Sequence, residues 1–462
     1  MRPVSPHHTQ GGRVSVDQDE LATCLAVLAR LDDPDLDEHA RQTLERAVGA
    51  AARGVKKRAK ARREAATRSA DRAILAAATR FHDEIPDPTP QPVEPSPGDS
   101  SVGTLRRDRC CYVCKAAYRS VDADYHLMCP DCAQENRVRR HARCDLTGRT
   151  AVVTGGRVKI GFHTVLKLLR DGAQVIVTTR FPRDAARRYA AVPDSADWAD
   201  RLYVHGLDLL DLPATLDFVS LVGQRFGGLD ILVNNAAQTL WRPPAYHREV
   251  RDAEATPLAG PAARIAVGAA PARVEPAGLP ALLAAYFPAG RTDETGQPLD
   301  LREVNSWVLR DADVTPHEWL QVHVVNAFAP FLLTSRLRPL MEASPHPQRH
   351  VVQVSAMEGS YSRAGKTVRH PHTNMAKASL NMLVRTVAAD YLTGGIHMNS
   401  VDTGWVTDER PHPSKSHQRA HGFRPPLDVI DGAARIYDPV VRGVHGAPVS
   451  GQFLKDYRSV PW

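Results

Sequence analysis

The chain has no long hydrophobic run, since none of its apolar stretches approaches the roughly 20 residues that a membrane-spanning helix requires. Its first segment, Met1 to Arg13, also has no apolar core of the kind found in secretory leaders. These two absences predict a cytoplasmic protein with no membrane partner. Cysteines are few, seven among 462 residues, and in a reducing compartment they are not expected to form disulfides.

Four of these cysteines nevertheless form two closely spaced pairs, in the segments CYVC and CPDC. They are Cys111, Cys114, Cys129 and Cys132. Each pair can bring two thiolates to one ion, and four thiolates satisfy the tetrahedral preference of zinc. The spacing therefore predicts a structural Zn²⁺ in a small zinc-ribbon-like module over residues 105–140. An Fe–S cluster and a redox dithiol remain alternatives, and Cys110 is an alternative ligand.

The chain before this module is polar and basic. Residues 1–84 are predicted to form a helical N-terminal region, with one helix at Asp17–Leu31 and a second from Asp37 to His82 that Gly54 can interrupt. Prolines alternate with polar residues over 85–104, which predicts an extended linker.

The N-terminal region contains a dense basic run, VKKRAKARR, at residues 55–63. Arginine and lysine at this density can bind phosphates or an acidic protein, although a solvated helix face has the same composition. No aromatic residue lies within the run, so base stacking has no support and a nucleic-acid partner is not expected. A protein partner that binds the N-terminal helices and the zinc module is a further interpretation.

The rest of the chain, residues 145–462, alternates short β-branched runs with helical patterns. The predicted strands are RTAVVTGG, AQVIVTTR, LYVHGLDL, DILVNNAA, HVVQVSA and HMNSVDT. This alternation predicts the α/β class, with a doubly wound parallel sheet of the Rossmann type. A proline- and alanine-rich insertion at about 241–315 interrupts the pattern and includes a predicted helix at Leu279–Tyr286. An insertion of this length is usually a lid or a docking surface.

The first strand leads into a turn that contains glycines, in the segment TAVVTGGRVKIG at Thr150–Gly161. A strand, a glycine turn and a helix in this order present backbone N–H groups and a helix N-terminus to a pyrophosphate. With DILVNNAA and NMAKAS further on, the segment resembles the short-chain dehydrogenase/reductase family over residues 145–457. The family pattern TGxxxGxG is found here as TGGRVKIG, in which Lys159 replaces the middle glycine. The Cβ of lysine restricts the turn, while its ammonium can meet a phosphate.

The resemblance implies a nicotinamide dinucleotide cofactor. At the end of the second strand an acidic residue would accept hydrogen bonds from a ribose 2′-hydroxyl, whereas arginine suits a 2′-phosphate. Thr179 and Arg180 occupy this place, with Arg157 as a second positive group, which favours NADP(H) over NAD(H). The residues implied to bind the cofactor are Gly155, Arg157, Lys159, Ile160, Gly161, Thr179, Arg180, Asp208, Leu209, Asn235, Ala236, Ala237, Lys377 and Thr407.

The resemblance also implies a catalytic tetrad of asparagine, serine, tyrosine and lysine. Asn326 and Lys377 match two positions, but Ala356 stands at the serine position and Thr373 at the tyrosine position. An alanine methyl cannot donate to a carbonyl oxygen, and an aliphatic hydroxyl is a poor general acid. Ordinary carbonyl reduction by this tetrad is therefore not expected.

Two nearby side chains are candidates for a substitute acid. Tyr361 follows the fifth strand closely, and His372 directly precedes Thr373 at the start of a helix. Both residue types can donate a proton. A purely structural role for either side chain is the alternative.

The sequence therefore predicts an NADP(H)-dependent oxidoreductase with an atypical active site, acting on a small carbonyl or alcohol substrate. The alternatives are a catalytically silent dinucleotide sensor or scaffold and, more distantly, a nucleic-acid-associated protein with a vestigial α/β domain. The segment GQFLKDY at residues 451–457 is similar to the C-terminal edge strand through which members of the family associate, which implies a homo-oligomer.

Overall fold

The computed structural model describes residues 17–81, 100–268, 285–293 and 295–462. By its internal contacts the chain divides into two units, Met1–Asp71 and Arg72–Trp462. Within the described ranges, no helix combines the length and the apolar character that a membrane span needs.

The N-terminal region is helical. Helix α1 (Gln18–Ala29) begins with a capping box, in which the Asp17 carboxylate accepts a hydrogen bond from a first-turn amide and Glu20 accepts one from the amide of Asp17. Helix α2 (Glu38–Ala76) passes through Gly54 without a break, so the interruption expected there is not seen. A single glycine in an exposed helix costs only about 1 kcal/mol, which 39 residues of continuous helix tolerate. The basic residues 55–63 are exposed along it.

The cysteine pairs lie in a small hairpin followed by a helix. Strand β1 (Ser101–Cys110) pairs antiparallel with β2 (Ala117–Asp122), and β1 begins within the segment predicted as linker. Helix α3 (Pro130–Arg140) starts directly after its N-cap, Cys129, with proline at the first helical position, where its missing N–H is not needed.

A nine-stranded sheet forms the centre of the second unit. Its strands are β3 (Thr150–Thr154), β4 (Gln174–Thr179), β5 (Leu202–Gly206), β6 (Ile231–Asn234), β7 (Ala266–Gly268), β8 (Arg349–Ser355), β9 (Ile396–Asp402), β10 (Phe453–Lys455) and β11 (Arg458–Val460). Their order is β11-β10-β9-β8-β6-β3-β4-β5-β7, and every neighbouring pair is parallel except β10 with β11. This confirms the predicted α/β class with a doubly wound parallel sheet.

Helices cover both faces of this sheet, which is why its central strands bury apolar residues on both sides. In β3, Ala151 and Val153 pack into one buried cluster, whereas Val152 packs into a second cluster on the opposite face. The helices of this part of the chain are α4 (Lys159–Arg170), α5 (Pro182–Ala190), α6 (Leu212–Phe226), α7 (Arg248–Ala255), α8 (Pro316–His323), α9 (Ala329–Glu342), α10 (Pro371–Thr393), α11 (His412–Ala420) and α12 (Val429–Val444).

Two edges of the sheet differ from the prediction. The insertion supplies β7 beside β5, a strand of three residues that is too short for any alternation to be recognised in the sequence. At the other edge, β10 is flanked by β9 and β11, because Asp456 and Tyr457 both have positive φ and turn the chain back in a tight hairpin. The predicted helix at Leu279–Tyr286 lies almost entirely outside the described residues.

A buried ion network joins the cysteine module to the sheet domain. The guanidinium groups of Arg80 and Arg140 contact the carboxylates of Asp428 and Asp431 at 2.6–2.7 Å, and the Tyr125 hydroxyl donates to Asp431 at 2.8 Å. Burial raises the pKa of Asp428, but Arg140 and Arg80 outweigh it and hold that pKa well below its usual range. The module is therefore fastened to the N-terminus of α12.

Candidate functional site

The carboxyl ends of the parallel strands open into one cleft of about 1300 Å³ within the second unit. This is the edge of a doubly wound sheet at which ligands bind. All fourteen residues that the sequence predicts for cofactor binding line this cleft. They are Gly155, Arg157, Lys159, Ile160, Gly161, Thr179, Arg180, Asp208, Leu209, Asn235, Ala236, Ala237, Lys377 and Thr407.

The glycine turn after β3 is in close contact with the loop after β6. Gly155 has a φ of +69°, and a Cβ at this position would lie 2.8 Å from the Cα of Ala236. At Gly161 a Cβ would lie 2.4 Å from both the side-chain amide of Asn235 and the carbonyl oxygen of Gly155. Both glycines that match the family pattern are therefore required by contact, and they leave the turn open toward the cleft.

Hydrogen bonds fasten the same two loops together. The Asn235 side chain donates to the carbonyl oxygens of Thr154 and Gly155, at 3.0 and 3.1 Å, and the Thr154 hydroxyl accepts from the amide of Ala236 at 3.0 Å. The first asparagine of NNAA, Asn234, is buried and donates to Gln353 instead. The loop after β6 thus holds the glycine turn in its conformation.

Lys159 stands where the family has its middle glycine, and it adopts a φ of +55°. This left-handed conformation is costly for a residue with a Cβ, by about 1–2 kcal/mol. Its ammonium lies 3.5 Å from a carboxylate oxygen of Glu409, to which the Thr407 hydroxyl donates at 2.7 Å. Burial raises the pKa of Glu409, but Lys159 and Thr407 outweigh it and hold that pKa at about 2. Thr407 is thus engaged by the carboxylate of Glu409, which no motif in the sequence marks.

The end of β4 forms the adenosine side of the cleft in this fold. The Thr179 hydroxyl accepts a hydrogen bond from the amide of Phe181 at 3.1 Å and so shapes the turn, while Arg180 is exposed to the cleft. Beyond β5, Asp208 accepts from the amide of Leu210 at 3.0 Å. Because Thr179 and Arg180 stand at the end of β4, neither residue supplies a carboxylate there.

Arg157 is buried and has partners within the chain. Its guanidinium contacts Asp184 at 2.7 Å and donates to the side-chain oxygen of Gln297 at 3.0 Å. Burial lowers the pKa of Arg157, and Asp184 opposes that shift. The second positive group expected in the glycine turn is thus present, with one acidic partner already in place.

At the other end of the cleft, Lys377 on α10 donates to the carbonyl oxygen of Val354 at 2.7 Å. Burial lowers the pKa of Lys377 to about 8, and Glu358 opposes that shift. Ser355 does not replace the missing serine, because its buried hydroxyl donates to Asn381 at 2.6 Å. Ala356 lines the cleft with its methyl group.

Thr373 also lines the cleft, one helical turn before Lys377. Its hydroxyl oxygen is buried and has no hydrogen-bond partner within the described ranges. Asn326 is fully buried in a π-helical segment and is not among the cleft-lining residues. Its side chain accepts from the amide of Gln238 at 2.6 Å and donates to the carbonyl oxygen of Gln238 at 3.1 Å. Asn326 therefore supports the loop after β6 and does not itself reach the cleft.

Neither candidate for a substitute acid is brought to the cleft. The side chain of Tyr361 is 75% exposed and is not part of the cleft lining. His372 is fully buried, with its Nε2 atom 3.3 Å from the carboxylate of Glu318. The reason is geometric, since Tyr361 lies on an exposed loop and His372 faces α8.

Several cleft residues have no counterpart in the sequence analysis. They come from the cysteine module, the insertion and the loop after β9, and they include Tyr112, His247, Gln297, Trp307 and Glu409. The Tyr112 hydroxyl accepts from the amide of Trp405 at 2.9 Å, so the first cysteine pair contributes directly to the cleft wall. These contacts join distant parts of the chain, and no local pattern signals them.

The four paired cysteines converge on one point. Their sulfur atoms all lie within 4.8 Å of one another, and those of Cys114 and Cys129 are 3.6 Å apart. Four thiolates at 2.3 Å from one zinc ion would be separated by about 3.8 Å. The cluster therefore has the dimensions of a tetrahedral metal site, while Cys110 is exposed and outside it.

The fold and the cleft define a Rossmann-type α/β protein with its site at the carboxyl edge of the sheet. The family model described as short chain dehydrogenase matches residues 149–256, and the one described as Enoyl-(Acyl carrier protein) reductase matches residues 308–421. An uncharacterized protein of Acanthamoeba polyphaga mimivirus is 31% identical over 343 residues, which cover 72% of this chain and 71% of that protein. The chain belongs to the short-chain dehydrogenase/reductase family, a family of oxidoreductases.

Relatives with assigned activities match over shorter segments. Carbonyl reductase (NADPH) 1 of Sus scrofa is 40% identical over 89 residues, which cover 19% of this chain and 30% of that protein. (+)-Neomenthol dehydrogenase of Capsicum annuum is 35% identical over 89 residues, which cover 19% of this chain and 28% of that protein. The chain thus spans less than a third of the length of these two relatives. A solved structure of NADPH-bound carbonyl reductase from chicken fatty liver is 18% identical, with 69% of this chain and 100% of that chain covered and a TM-score of 0.45.

Proposed function

We propose that this protein is an NADP(H)-dependent oxidoreductase with an atypical active site. The observation that carries the proposal is the glycine turn, which contacts the loop after β6 so closely that Gly155 and Gly161 leave no room for a Cβ. A turn of this kind, followed by the N-terminus of α4, offers backbone N–H groups to a pyrophosphate. The name of the Sus scrofa relative, a carbonyl reductase that uses NADPH, suggests a small carbonyl or alcohol substrate.

Each part of the cleft has a distinct task in this proposal. The glycine turn and the ammonium of Lys159 hold the pyrophosphate, Arg180 meets the 2′-phosphate, and Lys377 donates to the hydroxyls of the nicotinamide ribose. When bound, the nicotinamide supplies or accepts the hydride. The absence of a carboxylate at the end of β4 avoids repulsion of a 2′-phosphate, which favours NADP(H) over NAD(H).

The test is a pair of titrations, with NADPH and with NADH, followed by NADPH oxidation across a panel of carbonyl compounds. We expect NADPH to bind more tightly than NADH, because only NADPH carries the charge that Arg180 can pair with. Calorimetry with folded protein that registers no heat for either dinucleotide would contradict the proposal.

A catalytically silent sensor or scaffold is the second candidate, and the catalytic end of the cleft favours it. Ala356 offers only a methyl group, and the Thr373 hydroxyl is a poor acid. The two candidates differ in one measurable outcome. Binding of NADPH without turnover on any carbonyl compound, with no loss of binding in Lys377→Ala, would select the sensor.

The substitute acids considered above can be tested in the same assay. The exposure of Tyr361 and the burial of His372 argue against both side chains as proton donors. We therefore expect Tyr361→Phe to leave turnover and NADPH binding unchanged. Loss of turnover in this variant with intact binding would restore Tyr361 as the acid.

We also propose that Cys111, Cys114, Cys129 and Cys132 hold a structural zinc ion. Four sulfur ligands leave no open position for a substrate, so the ion would stabilise the module and not take part in catalysis. Metal analysis of the purified protein should find one zinc per chain, retained in Cys110→Ser and lost in Cys132→Ser. Iron with visible absorbance would indicate an Fe–S cluster, and metal-free protein that keeps its thermal stability would indicate a dithiol.

A further inference from the structure

Two side chains of the insertion reach the cleft at the end of β4. His247 and Gln297 are 6% and 7% exposed, and both line the cleft beside Arg180 and Arg157. Their side chains are thus more than nine-tenths buried in the protein, yet they border the space that a ligand would fill. Residues at this depth normally have hydrogen-bond partners for every polar atom.

Each of these side chains has one polar atom in use and one that is not. His247 Nε2 accepts from the guanidinium of Arg180 at 3.3 Å, so the ring proton is carried by Nδ1. The side-chain oxygen of Gln297 accepts a hydrogen bond from Arg157 at 3.0 Å, and this bond does not involve the NH₂ group of Gln297. In the part of the chain that the structure describes, neither His247 Nδ1 nor Gln297 Nε2 has a hydrogen-bond partner. Both atoms are donors.

Three of the four side chains, those of Arg157, Arg180 and His247, lie around one aromatic ring. The guanidinium carbons of Arg157 and Arg180 lie 5.3 and 5.6 Å from the centroid of Phe181, and the ring of His247 lies 5.3 Å from it. Asp184 is an acidic residue in contact with this group of side chains, and its carboxylate pairs with both Arg157 and Arg188. Burial and the nearby arginines lower the pKa of His247 to about 2, so the ring stays neutral and keeps its Nδ1 proton.

We propose that His247 and Gln297 complete, with Arg180 and Arg157, a binding site for a phosphate monoester. Two unpartnered N–H donors and two guanidinium groups belong to residues that line the same cleft, and an anion with three free oxygens can accept from all of them. The inference builds on the proposed function and deepens it, because the phosphate at this end of the cleft is the 2′-phosphate of NADP(H). The insertion is then the element that selects NADP(H).

The test compares dinucleotides with and without the 2′-phosphate. In Gln297→Glu a carboxylate replaces the free NH₂ group at the same size, and in His247→Phe the Nδ1 donor is lost while the ring remains. Calorimetry is run with NADPH, NADH, 2′,5′-ADP, 5′-AMP and inorganic phosphate. We expect each variant to bind NADPH and 2′,5′-ADP about tenfold or more weakly, as for a lost charge-assisted hydrogen bond, with NADH and 5′-AMP unchanged.

A matched control is His205→Phe. His205 on β5 is a second histidine with a buried and unpartnered Nδ1 atom in the described ranges, but it does not line the cleft. This variant should leave the preference for NADPH intact. Equal weakening of NADPH and NADH in the two test variants, or no change in either, would overturn the inference.

The outcomes also separate this inference from the proposed function. Wild-type protein that prefers NADPH, with variants that keep the same preference, refutes the roles of His247 and Gln297 alone. Wild-type protein that binds both dinucleotides equally refutes NADP(H) selection as a whole. Tight binding of inorganic phosphate, lost in both variants, combined with unchanged NADPH binding, would identify a free phosphate as the ligand and contradict the assignment to the 2′-phosphate.

Discussion

The two ends of the cleft are built very differently. At the proposed cofactor end, Gly155 and Gly161 fit against neighbouring backbone and side-chain atoms, and the cleft-lining residues His247 and Gln297 each have an unpartnered donor among the described residues. At the catalytic end, the groups that would move a proton are replaced by the methyl of Ala356 and the aliphatic hydroxyl of Thr373. The contacts proposed to hold a dinucleotide are therefore largely separate from the positions at which an acid would act. Binding and proton transfer can therefore be tested separately.

The largest expected effect comes from restoring the missing groups. The double variant Ala356→Ser with Thr373→Tyr places a hydroxyl and a phenol at the positions where the family has them. Because a positioned general acid contributes about 10²–10⁴-fold, we expect NADPH-dependent reduction of a reactive carbonyl compound to rise by about that factor. The measurement is the steady-state rate of NADPH oxidation.

The matched control is Ala356→Ser with Thr373→Phe, which has the same ring without the phenolic hydroxyl. It should bind NADPH as the first double variant does but show no gain in rate. If neither variant gains activity while both bind NADPH, the wild-type protein already has another proton donor, or the catalytic end is occluded. Either result would remove the contrast between the two ends.

A smaller effect is expected at the cofactor end, from two glycines with the same backbone conformation. Gly155 has a φ of +69°, and a Cβ added there would clash with Ala236. Gly227 has a φ of +72°, and no atom lies within 4 Å of the position that its Cβ would take. Gly155→Ala should weaken NADPH binding by about 5- to 150-fold, because the turn or the loop after β6 must shift. Gly227→Ala should lose about 1 kcal/mol of folding free energy and no affinity.

Calorimetry and thermal denaturation of these two variants distinguish the effect of backbone strain, which both share, from the effect of the steric contact, which only Gly155→Ala creates. Equal affinities in both would mean that the glycine turn does not hold the dinucleotide. Equal losses in both would mean that backbone strain alone, transmitted through the fold, controls binding.

Much of the fold was predictable because its signals are local. Strands β3, β4 and β8 are short runs rich in β-branched residues and buried on both faces, so they are recognisable from a few consecutive residues. The glycine turn is also local, since its sterically required glycines, Gly155 and Gly161, lie six positions apart. All fourteen predicted cofactor residues accordingly line one cleft.

The remainder depends on contacts between distant segments. His247 and Gln297 reach the cleft from an insertion with no periodic pattern, and Tyr112 reaches it from the cysteine module. The exposure of Tyr361 could not be predicted either, because proximity in sequence to β8 does not determine the direction in which a loop leaves the sheet. Such positions are decided by tertiary packing, which one sequence does not display.

The smallest effect concerns the one retained ionisable group of the tetrad, Lys377, and it spans both ends of the cleft. Burial lowers the pKa of this lysine to about 8, so its ammonium is present below that pH and is lost as the pH rises through it. A neutral amine is a weaker donor to the ribose hydroxyls, and we expect NADPH affinity to fall by about fivefold between pH 7 and pH 9.5, roughly 1 kcal/mol. Lys377→Met should show no such fall, whereas Lys167→Met should keep it, because burial also lowers the pKa of Lys167 to about 8 but that residue lies outside the cleft lining. A pH dependence that disappears in Lys167→Met and survives in Lys377→Met would mean that the stability of α4, and not the charge in the cleft, governs binding.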